Sequence, residues 1–185
     1  MTTAIHKPTK KYIRFIGFLS LYFFVVNANA QSFSLGGAIV YGDDVEQLGL
    51  HLRGYYNLKN NKVCFGPEYS NFFKAKEFIG GDQITKKLDE LNFNVHYVFE
   101  INEALGFYPL TGLNYSTEKE EVETANGMHS FSKYAMGVNL GFGFHKLKGR
   151  TVFFAEYDHL FSDLSQNSIL IGFFYNLSKM KEHEE

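Results

Sequence analysis

Between positions 134 and 145 the chain runs Tyr-Ala-Met-Gly-Val-Asn-Leu-Gly-Phe-Gly-Phe-His, and its two alternating sets differ in kind. Tyr134, Met136, Val138, Leu140, Phe142 and Phe144 are large and apolar; Ala135, Gly137, Asn139, Gly141, Gly143 and His145 are small or polar. Successive side chains of a strand point to opposite faces. A soluble barrel puts bulk inside and polar groups outside. A transmembrane β-barrel turns its large apolar set toward lipid and its small or polar set toward the lumen. This stretch predicts the second arrangement.

The same alternation recurs along the chain. It predicts strands at 33–42, 47–58, 62–73, 91–101, 105–116, 134–145, 150–161 and 168–177. In the second, Leu48, Leu50, Leu52, Tyr56 and Leu58 share one face, and Gln47, His51, Arg53, Tyr55 and Asn57 the other. Asn60-Asn61 supplies a two-residue turn, because Asn tolerates the positive φ such hairpins need. That turn fixes a register: Leu58 opposes Val63, Tyr56 opposes Phe65, Leu52 opposes Tyr69, and Arg53 opposes Glu68 on the polar side. Pro67 cannot donate to a ladder, so a bulge is expected there.

The predicted strands are roughly 10 residues long, which crosses a bilayer at a tilt. Lipid cannot hydrogen-bond an open edge, so eight such strands must close on themselves. The fold class expected is all-β, an eight-stranded antiparallel up-and-down transmembrane barrel. Short turns follow the second, fourth and sixth strands, at Asn60-Asn61, Asn102-Glu103 and Lys148-Gly149. Long polar stretches, read as external loops at 74–90 and 117–130, follow the third and fifth. Barrels of this kind keep short turns in the periplasm and long loops outside. The short connection at Asp43-Asp44 is the exception, external yet brief.

Composition adds a destination. Residues 1–30 have the form of a secretory signal peptide, with Lys7, Lys10, Lys11 and Arg14, an apolar core at 13–26, and Ala28-Asn29-Ala30 before the expected cleavage. The apolar run is shorter than the ~20 residues a permanent helical anchor needs. No Cys follows the cleavage point, which argues against a lipoprotein. That segment carries four of the 18 basic residues and none of the 20 acidic ones, so the remainder, 31–177 plus a charged tail at 178–185, is net acidic. An acidic balance argues against nucleic acid as a partner. The single Cys64 permits no internal disulfide.

On strand count, face pattern, export segment and final strand, the chain resembles the small eight-stranded outer-membrane barrels of the OmpX and OmpA-barrel type. The final strand carries Gly172, Tyr175 and Leu177, similar to the signal read by the barrel-assembly machinery. It departs from that signal at Leu170, where a polar residue is usual, and in the eight residues that follow Leu177. The resemblance implies a monomeric protein of the bacterial outer membrane, in contact with lipid and lipopolysaccharide, with no cofactor.

Candidate chemistry is sparse. Arg53, Glu68, Glu100 and Glu156 all face inward on the alternation and are expected to form a charged cluster. An eight-stranded barrel is just wide enough for its side chains to fill, so a structural plug is expected ahead of a proton or ion path. His51, His96, His129, His145 and His159 lack metal-ligand spacing, and no metal is expected. Lipid A deacylases are barrels of the same strand count, and that resemblance would imply a His-x-Ser pair with a Glu. Here His159, Ser162 and Glu156 give His-x-x-Ser, which puts His159 and Ser162 on opposite strand faces. The remaining alternatives are a narrow pore and a soluble secreted barrel of lipocalin type, which the outward aromatics oppose. Tyr41, Tyr56, Tyr69, Tyr97, Tyr115, Tyr134, Tyr157 and Tyr175 are expected in two interfacial girdles. The expected role is structural, or surface contact through 74–90 and 117–130.

Overall fold

The computed structural model describes residues 32–58, 62–124 and 127–177. The export segment, the Asn60-Asn61 turn and the tail at 178–185 lie outside the described residues. Ten strands are present among the described residues: β1 (Ser32–Gly42), β2 (Gln47–Asn57), β3 (Val63–Phe72), β4 (Ala75–Ile79), β5 (Asp82–Tyr97), β6 (Phe99–Glu100), β7 (Leu105–Thr124), β8 (Gly127–Lys148), β9 (Thr151–Phe161) and β10 (Gln166–Asn176). Eight of them close into a ring, β1–β2–β3–β5–β7–β8–β9–β10, with β10 returning antiparallel onto β1. Leu35 faces Tyr175 and Ile39 faces Ile171 across that seam.

The faces are inverted relative to a soluble barrel. Leu52 is 63% exposed while its neighbour Arg53 is 3% exposed. Leu48, Leu50, Leu140, Phe142, Phe144, Ile169, Ile171 and Phe173 all stand outward. His51, Glu68, Asn94, Asn139 and Glu156 are buried inside. Every strand of the ring has a neighbour on both sides, which satisfies the backbone where no water reaches. The structure is a closed transmembrane β-barrel. The expected outward tyrosines Tyr41, Tyr69, Tyr97, Tyr115, Tyr134, Tyr157 and Tyr175 are exposed, and Tyr56 is half-buried.

The register expected from the Asn60-Asn61 turn is present: Leu52 pairs with Tyr69, Arg53 with Glu68, and Tyr56 with Phe65. Leu58 donates its N–H to the Val63 carbonyl at 2.9 Å. Pro67 is not a bulge. The β2–β3 ladder lapses opposite Gly54 and Tyr55 but resumes unshifted, and Pro67 itself pairs with Phe93 in an unbroken β3–β5 register. No residue is inserted; the missing proline N–H leaves a gap in bonding without a change of count.

The two stretches expected as long loops are strands instead. β4 and β5 form a hairpin turned at Gly80 (φ 64°) and Gly81 (φ 97°), and β7 runs on to Thr124 before β8 returns from Gly127. Lys86 pairs with Glu120 and Ala75, and Glu118 pairs with Lys133. Beyond the ring β8 is exposed on both faces from Gly127 to Tyr134, so alternation of apolar and polar residues vanishes while the backbone ladder continues. The segment expected as one strand at 91–101 begins at Asp82 and breaks at Val98, whose N–H turns to the Lys62 carbonyl at 2.7 Å. β6 then pairs only with β7.

Candidate functional site: a filled, charged lumen

Arg53 is buried in the barrel interior, 3% exposed. The alternation of β2 turns it inward between His51 and Tyr55, and the β2–β3 register sets it opposite Glu68. Its guanidinium bonds Glu156 of β9 in a bidentate pair, Nη1 to Oε2 at 3.0 Å and Nη2 to Oε1 at 2.8 Å. Nη2 also lies 3.7 Å from Glu68 Oε2. The planar fork matches a carboxylate in two places at once, which an ammonium cannot do. One face of the guanidinium lies 4.1 Å from the centroid of the Phe154 ring.

A shell of aromatic and imidazole groups completes the network. Arg53 Nε donates to His51 Nε2 at 3.1 Å, so that nitrogen is an acceptor and Nδ1 carries the proton toward Ser70 Oγ at 2.9 Å. The Tyr55 hydroxyl donates to Glu68 Oε1 and meets His96 Nε2 at 2.8 Å, which assigns the His96 proton to Nε2. Tyr108 Oη donates to Glu156 Oε2 at 2.9 Å. The His96 ring stacks on Tyr108 at 4.9 Å, and Tyr108 on His145 at 5.8 Å. Tyr108 fits because residue 143 is glycine: a Cβ there would collide with the phenol ring.

Beside this core lies a layer of amides. Asn92 Oδ1 accepts from Asn114 at 2.6 Å and from Asn139 at 2.9 Å, while Asn139 also donates to Asn94 at 3.1 Å. Toward the long hairpins an apolar group, Val40, Phe72, Leu88, Phe154 and Leu170, packs with Ala38, Val45, Leu164 and Phe174. Polar and apolar groups together fill the lumen, the arrangement expected at this strand number.

The structure thus brings Arg53, Glu68 and Glu156 together and leaves Glu100 apart. Glu100 is exposed in the short β6, past the break at Val98, and belongs at the barrel rim. The expectation of an inward Glu100 assumed an unbroken strand. His159, Ser162 and Glu156 do not converge. His159 Nδ1 bonds Asn167 Oδ1 at 2.7 Å, Ser162 Oγ accepts from the Leu164 N–H at 3.0 Å, and Glu156 is held by Arg53 and Tyr108. Among the described residues no group of three His, Cys, Asp or Glu side chains is placed to hold a metal. His51, Tyr55, His96 and Tyr108 were missing from the expected cluster. All four have the inward parity of their strands, which was the available signal.

A closed, up-and-down barrel of eight strands, apolar outside and polar within, defines the class: a small transmembrane β-barrel with a filled lumen. No protein-family model and no curated protein matches the chain by sequence. Its fold is similar to solved outer-membrane barrels. A major outer membrane protein of Thermus thermophilus superposes with a TM-score of 0.62 at 12% identity, over 80% of this chain and 100% of that one. Ail, the attachment invasion locus protein of Yersinia pestis, gives 0.57 at 19% identity over 80% and 97%. The N-terminal β-barrel domain of Pseudomonas aeruginosa OprF gives 0.56 at 12% identity over 79% and 97%.

Proposed function

We propose that the protein is a non-enzymatic barrel of the bacterial outer membrane whose filled lumen is structural and whose work is surface contact through residues 74–90 and 117–130. The observation that carries this reading is the sheet those residues build beyond the ring. β4, the outer part of β5, the outer part of β7 and the start of β8 stand side by side there. β8 pairs with β9 only from Val138 onward, so its stretch from Gly127 to Gly137 has a ladder partner on one side alone among the described residues. Phe78, Ile79, Met128, Phe131, Tyr134 and Met136 are exposed on this part of the chain, Met136 at 78%. An open strand edge with apolar side chains is a surface for recognising another chain.

Two other readings are less well supported. Conduction needs a path through a lumen occupied by the Arg53–Glu156 network and the Val40–Phe72 cluster. Binding of a polyanion, as the heparin analogue sucrose octasulfate binds Ail, does not suit the stretch at 117–130, which carries four Glu against one Lys.

The test is an epitope inserted between Thr124 and Gly127. On intact cells antibody should label it, and trimming the hairpin back to Thr117 and Tyr134 should abolish contact with the partner surface while the barrel still assembles. An epitope reachable only after the cells are opened would contradict the orientation and the role.

A further inference from the structure

Nearer the long hairpins the inward charge does not balance. Arg53 is committed to Glu156 and Glu68. Two more carboxylates face inward, Glu90 on β5 and Asp158 on β9. Glu90 is 6% exposed and accepts one hydrogen bond, from Gln166 Nε2 at 3.2 Å. Asp158, half-buried, follows Glu156 on the same face of β9, and no hydrogen bond or ion pair joins its carboxyl to another described residue. Lys86 and Lys133 have the same strand parity but stand farther out, where Lys86 lies 3.7 Å from Glu77 and Lys133 donates to the Asp163 carbonyl at 2.9 Å. A carboxylate buried as Glu90 is, without a counter-charge, is costly.

Two amide oxygens in the same layer are also without partners. Gln166 and Gln47 are buried, at 1% and 5% exposure, and neither Oε1 accepts a hydrogen bond. The orientation of Gln166 is fixed, because its Nε2 serves Glu90 and lies 3.4 Å from Ser168 Oγ. The register gathers these groups. Gly42 pairs with Gln47 on one side and with Ser168 on the other, and Ser168 pairs in turn with Asp158. The Gln166 amide lies across Gly42, where a Cβ would fall 2.7 Å from its Oε1. Glu90 reaches this amide from the opposite wall of the barrel.

We propose that this layer is a binding site for a hard divalent cation of the Ca2+ type, held by the carboxylates of Glu90 and Asp158 and the amide oxygens of Gln47 and Gln166. The donors are all oxygen, two charged and two neutral, which suits an ion that accepts carboxylate, amide and water ligands in flexible geometry. Zinc and copper favour imidazole and thiolate, and the inward imidazole of His51 is already occupied by Arg53 and Ser70. One divalent ion neutralises both carboxylates and occupies both orphan oxygens.

The experiment uses the full chain refolded in detergent, with the folded fraction read as the faster-migrating unboiled gel band. The midpoint temperature for loss of that band is measured in chelator and then in increasing Ca2+ at constant ionic strength. The midpoint should rise by roughly 5 °C at saturating Ca2+, and the Glu90→Gln/Asp158→Asn protein should fold without showing the rise. No rise in the parent, or an equal rise in the double variant, overturns the proposal, the latter by placing the ion on surface carboxylates such as Glu121. If the double variant does not fold, Gln47→Leu decides: a several-fold weaker Ca2+ response supports the site, and an unchanged response overturns it.

Discussion

Arg53 shows how much one inward side chain can organise. It reaches β9 and β3 at once through Glu156 and Glu68, and it fixes the tautomer of His51. Removing it leaves two carboxylates buried without their cation. Arg53→Ala should therefore lower unfolding stability by about 3–5 kcal/mol, measured by denaturant titration in lipid vesicles. Arg53→Lys should recover only part of that loss, because a point charge cannot make the bidentate pair. A barrel as stable as the parent after Arg53→Ala would contradict the account of the lumen. Tyr108→Phe is the milder change. It removes one donor from Glu156, which keeps Arg53, and should cost about 1–2 kcal/mol in the same assay.

A second residue-scale test lies in the turn between β1 and β2, outside the membrane. The little burial Asp43 has pushes its carboxyl up, and hydrogen bonds from the Asn167 side chain and backbone outweigh that, holding it below the ordinary carboxylate value. A folded value below the unfolded one contributes stability above the ordinary value, and that contribution is lost as pH falls through the folded value. Asn167→Ala should bring the Asp43 titration, followed by NMR, back toward the ordinary value. A titration that stays where it was would show that Asn167 is not the cause.

The charged members of the residue-scale site were legible in the sequence, and its aromatic and imidazole members were not. Turn register and face parity put Arg53 opposite Glu68 and turned Glu156 inward. The partnership of Arg53 with Glu156 was not legible at that level, since it crosses the lumen between strands 103 residues apart in sequence. Such contacts depend on how far the strands are sheared around the ring, which no single hairpin reveals. Glu100 was lost for a different reason: parity carries through a strand only while the strand is continuous, and the chain breaks at Val98.

At the scale of elements, the membrane-crossing parts of the strands announced themselves and their extensions did not. Where one face meets lipid and the other the lumen, alternation is strong, as in Val138, Leu140, Phe142 and Phe144 against Asn139, Gly141 and Gly143. Beyond the ring, Lys119, Glu120, Glu121 and Glu123 continue the β7 ladder with charge on both faces. Two measurements separate these regimes. Leu140→Arg should cost about 2–4 kcal/mol if position 140 lies near the bilayer midplane, whereas Ser132→Arg, in the extension of β8, should be close to neutral. Equal costs at both positions would place the lipid boundary elsewhere. Protease added to the assembled protein should cut first at 117–134 and leave a core that still holds its eight-stranded ring; loss of the ring after a single cut there would show that the extension is integral to closure.

The molecule as a whole is inverted: within the ring of eight strands the large apolar side chains face out and the polar and charged ones face in. The register of β1 with β10 closes the ring, and with it the last unpaired edge within the membrane. Cell fractionation with heat-modifiability on a gel tests this most directly. The expected result is recovery with the outer membrane, release only by detergent, and a faster-migrating band in the unboiled sample. A band released without detergent, with the same mobility before and after boiling, would contradict it.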